Sequence, residues 1–360
     1  MKTLLVMDIK NYSETDKHFS RPSARAIITG KDGKLALVYS KKMKYYKFPG
    51  GGMEEEEERE AALVREVKEE TGLIVIPETI KEYGCVLRMQ RSDKQEHTIF
   101  EQKNYYYTCR TKETVQEQNL DEYEKEAEFV LRFVSAEEAA AANKACRGLN
   151  DFDLVMIERD TKVLELLCGK DSEPSVPMAE FLLREAARFN PGAWERHSHY
   201  VAESAGKIAA ACPGMDSDRA YVYGLLHDIG RKFGVSDLAH VYDGYHYLME
   251  LGYAGAARVA LSHSFHCKST EGYIGKFDIP RQAQEELKVL LERMEYDDYD
   301  LLIQLSDSVA AAEGIVPLEE RMNDVKRRYG SYPQEKWDRN VELRGYFEGK
   351  MGRDLYEVIL

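Results

Sequence analysis

The stretch Gly51 to Leu73, GGMEEEEEREAALVREVKEETGL, restricts the fold of this chain more than any other segment. Gly50, Gly51 and Gly52 follow Pro49 and read as a loop whose backbone can approach a phosphate or a metal with no Cβ in the way. Gly72 suits the left-handed stop of a helix. Between them Ala61, Val64 and Val67 can face a sheet, while Arg65 stands four residues before Glu69 and can hold that carboxylate in one orientation. The run Glu54 to Glu58 taken alone is an ordinary solvated face. Glu66, Glu69 and Glu70 differ, because spacings of three and four put them on one side of the helix, where they invite a hard divalent cation.

The segment resembles the Nudix box at each defining place: Gly51, Glu57, Arg65, Glu66, Val67, Glu69, Glu70, Gly72 and Leu73. The resemblance implies that Glu66, Glu69 and Glu70 are catalytic and bind Mg²⁺ or Mn²⁺, with Gly51, Glu57 and Arg65 supporting them. It also implies water attack on one phosphorus of a diphosphate, the metal neutralising phosphate oxygens while a carboxylate accepts a proton. Many Nudix enzymes add an acidic residue from outside the box, for which Glu126 and Glu128 are the candidates here, each weighed against a plain surface role.

At 360 residues the chain is too long for one ordinary core, and two domains are expected. Hydrophobic residues at 43% and charged ones at 32% describe a soluble globular protein. A net charge of −14 argues against a nucleic-acid backbone as partner, so anionic substrates must be met by metal. No apolar run reaches the length of a membrane span, and the N-terminal MKTLLVMDIKNY reads as a first strand rather than a signal peptide. The cysteines (Cys85, Cys109, Cys146, Cys168, Cys212, Cys267) are scattered without close pairs, as suits reduced thiols and a cytoplasmic protein.

Short strands are expected at SARAIITG, KLALVYS and Tyr45 to Phe48, and longer ones at TIKEYGCVLRM, HTIFEQKNYYYTCR and EFVLRFVS. Ser135 with Glu138 opens an alanine-rich helix, and another covers Asp153 to Leu167. Strands around a box helix, closed by helices, resemble the Nudix α/β/α sandwich, expected over residues 1–168. Residues 169–177 are polar, carry two prolines and read as a linker. Beyond them the hydrophobic period is helical throughout, so an all-α second domain with a C-terminal helical extension is expected over 178–360.

Seven of the nine histidines lie between His197 and His266. Helix-type segments there supply His197 and the adjacent pair His227 and Asp228, and the later helix-type segment LLIQLSDSVAAAEG supplies Asp307. That order, within HSxxVA, LLHDIG and LSDSVA contexts, resembles the HD-domain metal-dependent phosphohydrolases. The resemblance makes His197, His227, Asp228 and Asp307 ligands, with Asp228 also catalytic, and the mixed nitrogen and oxygen set suits one or two divalent transition metals such as Mn²⁺, Fe²⁺, Zn²⁺, Co²⁺ or Ni²⁺. His240 and His263 stand where two-metal members place further ligands and are weighed evenly against structural roles; with them, Asp228 would bridge two metals. His199, His246 and His266 are alternates of lower standing. Arg196, Arg231, Lys232, Arg258 and Lys268 are candidates to meet substrate oxygens, each weighed against a solvated surface role.

Together these readings imply a bifunctional hydrolase. The first domain cleaves a nucleoside diphosphate linked to another group, and the second hydrolyses a phosphomonoester or phosphodiester, including the nucleoside monophosphate the first would release. The alternative is a single HD activity, signalling-nucleotide hydrolysis included, controlled by a ligand-sensing Nudix domain. The partner is a nucleotide-type small molecule, with no nucleic acid and no membrane; the sequence leaves a homo-oligomer open.

Overall fold

The computed structural model describes residues 1–360, which divide into two compact units: Met1–Ser175 with Glu250–Gly252, and Val176–Met249 with Tyr253–Leu360. Ser23–Ile28 (SARAII) is buried at all six positions, as a strand covered on both faces must be. It runs parallel to Thr98–Cys109 and antiparallel to Gly50–Gly52. Thr98–Cys109 pairs antiparallel with Lys81–Arg91, which carries Thr3–Asp8 on its far side, and Lys17–Ser20 joins the start of Thr98–Cys109. A second sheet places Leu35–Ser40 between Phe129–Val134 and Tyr46–Lys47. Strand Leu73–Val75, directly after the box helix, pairs with Thr111–Val115.

Helices cover both sides of this β layer. On one, Ala24, Ala26 and Ile28 pack with Ala62, Leu63 and Val67 of the box helix Arg59–Thr71. On the other, Ile27, Leu37, Phe48, Val86 and Tyr106 pack with Ala139, Ala140, Val163 and Leu164 of helices Ala136–Ala145 and Asp151–Leu167. The α/β/α sandwich is therefore present. The buried stripe of the box helix is shifted from the expected one: Ala61 is exposed and Val64 only half-buried, while Ala62 and Leu63 face the sheet. The second long helix starts at Asp151, two residues before its expected start, because the Asn150 side chain accepts from the Asp153 N–H at 2.8 Å.

A buried polar cluster ties the sheet to helix Asp151–Leu167. Arg159 reaches Asp160 Oδ1 at 2.9 Å and Gln102 Oε1 at 3.2 Å. Tyr106 Oη donates to Asp160 Oδ1 at 2.6 Å, and Asp160 Oδ2 accepts from the Phe48 N–H at 3.2 Å, two residues before the glycine loop. Burial opposes the Asp160 charge, yet the Arg159 and Arg25 guanidinium groups hold its carboxyl below the usual range. This loop is thus fixed by an ion pair that water does not screen.

The second unit is helical apart from a two-stranded ribbon, Ala310–Ala311 with Gly314–Ile315. Its first helix, Val176–Phe189, carries Pro177 in its opening turn, where the missing N–H costs nothing. Helices Trp194–Ala211, Ser217–Leu226, Leu238–Glu250, Ala254–Ser262 and Asp298–Asp307 follow, and Leu318–Tyr329, Gln334–Met351 and Leu355–Ile359 close the chain. No helix is long and apolar enough to cross a membrane.

Replacing Arg159 with Met would leave Asp160 buried without its main partner, at an expected cost of about 3–5 kcal/mol. In urea, the circular dichroism transition of the first unit should move to lower denaturant. The fluorescence transition of Trp194 and Trp337, both in the second unit, should stay in place.

Candidate metal centres

In the first unit one guanidinium organises the acidic face of the box helix. Arg65 takes Glu57 in a two-pronged grip, Nε to Oε1 at 2.9 Å and Nη2 to Oε2 at 2.8 Å. Its Nη1 reaches Glu66 Oε1 at 2.8 Å and Glu69 Oε2 at 3.2 Å, and Nη2 also donates to the Gly52 carbonyl. The Arg65 grip holds Glu57 below the usual carboxylate range, whereas burial and the charge of Glu70 push Glu66 up. A Cβ at Gly51 would fall 2.3 Å from Glu66 Oε2, so a larger residue there would displace that carboxylate from the position Arg65 holds.

Glu70 turns away from Arg65 into the protein, accepting from Lys47 Nζ at 2.5 Å and from the Gly50 N–H at 2.8 Å. Glu66, Glu69 and Glu70 are thus tied to a shared scaffold without forming a tight three-ligand cluster. A further carboxyl meets Glu70: Glu124, which burial and the Glu70 charge push up to about 7. Of the two acidic residues proposed from sequence, Glu126 is fully exposed and paired with Lys42, and Glu128 is also exposed. Glu124 is the acidic residue outside the box that stands against a box carboxylate. The signal that would have found it is the Asp121-x-x-Glu124 capping box, which starts the short helix Glu122–Glu126 and sets the direction of Glu124.

The second unit assembles its site from helix ends. His227 follows Ser217–Leu226, His263 follows Ala254–Ser262, Asp307 closes Asp298–Asp307, and His240 lies in the first turn of Leu238–Glu250. Imidazole Nδ1 atoms bond carbonyls three residues back: His227 to Gly224 at 2.7 Å, His263 to Ala260 at 2.8 Å, and His240 to Asp237. A carbonyl can only accept, so each Nδ1 carries the proton and each Nε2 offers a lone pair. Those lone pairs converge on Asp228: His240 Nε2 is 3.0 Å and His263 Nε2 3.6 Å from Oδ1, and His227 Nε2 is 3.9 Å from Oδ2. His197 Nε2 lies 2.9 Å from Asp307 Oδ1. Gly230 makes the packing feasible, because a Cβ there would meet the His240 carbonyl at 1.9 Å.

Lone pairs aimed at a carboxylate repel it unless a cation lies between them, and this donor set therefore fits a metal. The ligand atoms of His197, His227 and Asp307 lie within 4.8 Å of one another, as do those of His227, Asp228 and His263. His227 Nε2 is buried with no hydrogen-bond partner, and so is His197 Nδ1. Burial opposes the Asp228 charge, yet Arg231, 2.6 Å away, draws its carboxyl well below the usual range. Asp307 is likewise held well below its usual range, chiefly by His197. His197, Asp228, Arg231, His240, His263 and Asp307 line a cavity of about 500 Å³.

His199 and His246 lie away from this cavity, beside Glu180 and Glu286 respectively. His266 lines the cavity but belongs to neither ligand group. Among the cations proposed from sequence, Arg231 alone lines it. Arg258 is engaged with Asp297 and Asp300, Lys232 packs on Tyr247, and Lys268 lies over Tyr296.

A family model described as the NUDIX domain matches residues 19–152, and one described as the HD domain matches residues 194–312. The chain is a Nudix–HD fusion. Both domains are those of metal-dependent phosphohydrolases, and the fusion is a metal-dependent hydrolase. No curated protein matches its sequence significantly. Among solved structures it is similar to MutT of Aliivibrio salmonicida and Vibrio cholerae, at 18% identity over 39% of this chain and 97% of that one, TM-score 0.24. It is also similar to a NUDIX hydrolase of Nitrosomonas europaea (20% identity, 39% and 89% covered, TM-score 0.27) and to the ORF135 protein of E. coli (21%, 43% and 96%, TM-score 0.27).

Burial and the neighbouring His227 push His263 of the HD domain down to about 3, against 6.5 for an ordinary histidine. The unfolded chain therefore takes up the extra proton below about pH 6.5, and stability is lost from there downward, by at most about 1.4 kcal/mol per pH unit for this residue. The fluorescence-detected unfolding midpoint of chelator-treated protein should fall steeply between about pH 6.5 and 4.5. It should fall less steeply in His263→Asn, and equal slopes would contradict the assignment.

Proposed function

We propose that the fusion is bifunctional: the Nudix domain hydrolyses a nucleoside diphosphate linked to another group, and the HD domain hydrolyses a phosphate ester. The observation that carries the reading is that one chain holds both an HD donor set with its Nε2 lone pairs turned on Asp228 and a box helix on which Arg65 holds Glu66 and Glu69 side by side. A domain retained only to sense a ligand has no need of such groups. Mg²⁺ or Mn²⁺ in the first site, and transition ions in the second, would neutralise phosphate oxygens and lower the pKa of an attacking water. Glu66, Glu69 and Glu70 are the residues proposed to hold the former. His197, His227, Asp228, His240, His263 and Asp307 are those proposed to hold the latter.

The protein's own part is to orient and to move protons. Arg65 fixes the box carboxylates, and Glu124 can accept a proton from the attacking water near neutral pH. In the HD domain the helix-end carbonyls keep the imidazoles in one tautomer, so no rearrangement precedes binding. The cavity of about 500 Å³ suits a ligand of nucleotide size, as ligand pockets of about 300–1,000 Å³ do. A nucleoside monophosphate released by the first reaction is of a size to fit it, and on this reading the two steps run in sequence.

Separate replacement of Glu69 by Gln and Asp228 by Ala tests the reading. Each should abolish one activity and spare the other, diphosphate cleavage in the first case and monoester hydrolysis in the second. Loss of a single shared activity in both variants would support regulation instead. Glu124→Gln should slow diphosphate cleavage by about 10²-fold or more without changing monoester hydrolysis, measured by phosphate release with and without an added phosphatase.

A further inference from the structure

The HD family model ends at residue 312, yet the cavity beside the metal ligands is completed by residues of the last helices. Lys336, in the first turn of Gln334–Met351, donates to the Ser264 carbonyl at 3.2 Å, and Ser264 directly follows His263. No carboxylate pairs with it. Two of its three ammonium protons are left without a protein acceptor.

His266, only 5% exposed, lines the same cavity. Its tautomer follows from the residue it meets. Asn340 uses its Nδ2 on Tyr332 Oη at 2.9 Å and on the Lys336 carbonyl at 3.1 Å, so Asn340 Oδ1 is what faces His266 Nε2 at 3.2 Å. Nε2 therefore carries the proton, and Nδ1 is a buried acceptor with no partner. A buried polar atom left in this way is costly unless something bonds to it.

We propose that helix Gln334–Met351 converts the HD cavity into a two-point recognition site for a hydroxylated organic phosphate, Lys336 Nζ pairing with an anionic oxygen and His266 Nδ1 accepting from a hydroxyl of the same molecule. The substrate class is then a phosphomonoester of a sugar or nucleoside rather than of a simple phenol or alkyl group. This rests on the reading of the HD domain as a phosphate-ester hydrolase and narrows it. Lys336 and His266 are recognition residues; the ligand set around Asp228 is unchanged by them.

The test uses the full chain, both metal-loaded and chelator-treated, with ribose 5-phosphate and phenyl phosphate as calorimetric probes. Lys336→Met should weaken both by about tenfold or more, the loss expected for a hydrogen bond to a charged group, while Lys336→Arg retains most of the affinity. His266→Phe should weaken ribose 5-phosphate alone. In the loaded protein the Lys336→Met loss should appear in KM with kcat little changed. Unchanged affinities in Lys336→Met, with native circular dichroism and metal content, overturn the proposal, and so does failure of the wild type to bind either probe. Lys336-dependent binding without hydrolysis of any phosphomonoester would keep the recognition site and refute the hydrolase reading. Hydrolysis with an unchanged KM in Lys336→Met would do the reverse.

Discussion

The HD half of the molecule depends on a carboxylate buried among imidazoles that cannot give it a proton. Asp228 is 4% exposed, and His227, His240 and His263 all spend their Nδ1–H on backbone carbonyls. In a low-dielectric interior an unshared negative charge facing lone pairs is a large penalty, and Arg231 offsets only part of it from Oδ2. The helix ends are what impose this arrangement. A helix always leaves its last carbonyls unsatisfied, and here two of them are used to lock a histidine rather than to meet water. Secondary structure and ligand chemistry are the same hydrogen bonds.

The Nudix half solves a related problem with side chains. Its acidic residues sit on one face of a helix that must also bury Ala62, Leu63 and Val67 against the sheet, which leaves little room to spread the charge. Arg65 gathers Glu57, Glu66 and Glu69, and Lys47 comes from a strand to meet Glu70. Behind the loop, Asp160 receives the Phe48 N–H and fixes where the glycines begin. The polar cluster around Arg159 contains none of the proposed metal ligands, but it sets the position of the backbone that Glu66 packs upon.

Much of this was legible in the residues. The box spacing and the His-Asp dyad identify themselves because their members are close in sequence, where helical geometry fixes their directions. His240 and His263 were harder: they reach Asp228 only because the intervening helices have particular lengths and crossings, which no local pattern encodes. The buried stripe of the box helix runs through Ala62, Leu63 and Val67 rather than Ala61 and Val64, a shift that alanine and valine spacing alone does not reveal because Leu63, its largest apolar residue, lies between those positions. Glu124, the acidic residue against Glu70, is hard to single out from sequence because the five-residue helix that aims it is too short to show a period. Lys336 carries no motif, and its role comes from docking next to Ser264, 72 residues away.

The Arg65 cluster has a kinetic corollary. One guanidinium among Glu57, Glu66 and Glu69 leaves the groove with surplus negative charge, so a polyanionic diphosphate approaching it bare is repelled. Divalent ions held by Glu66, Glu69 and Glu70 would offset that charge, docking before such a substrate or arriving chelated to it, and the order of addition would follow from the charge count of a single helix face.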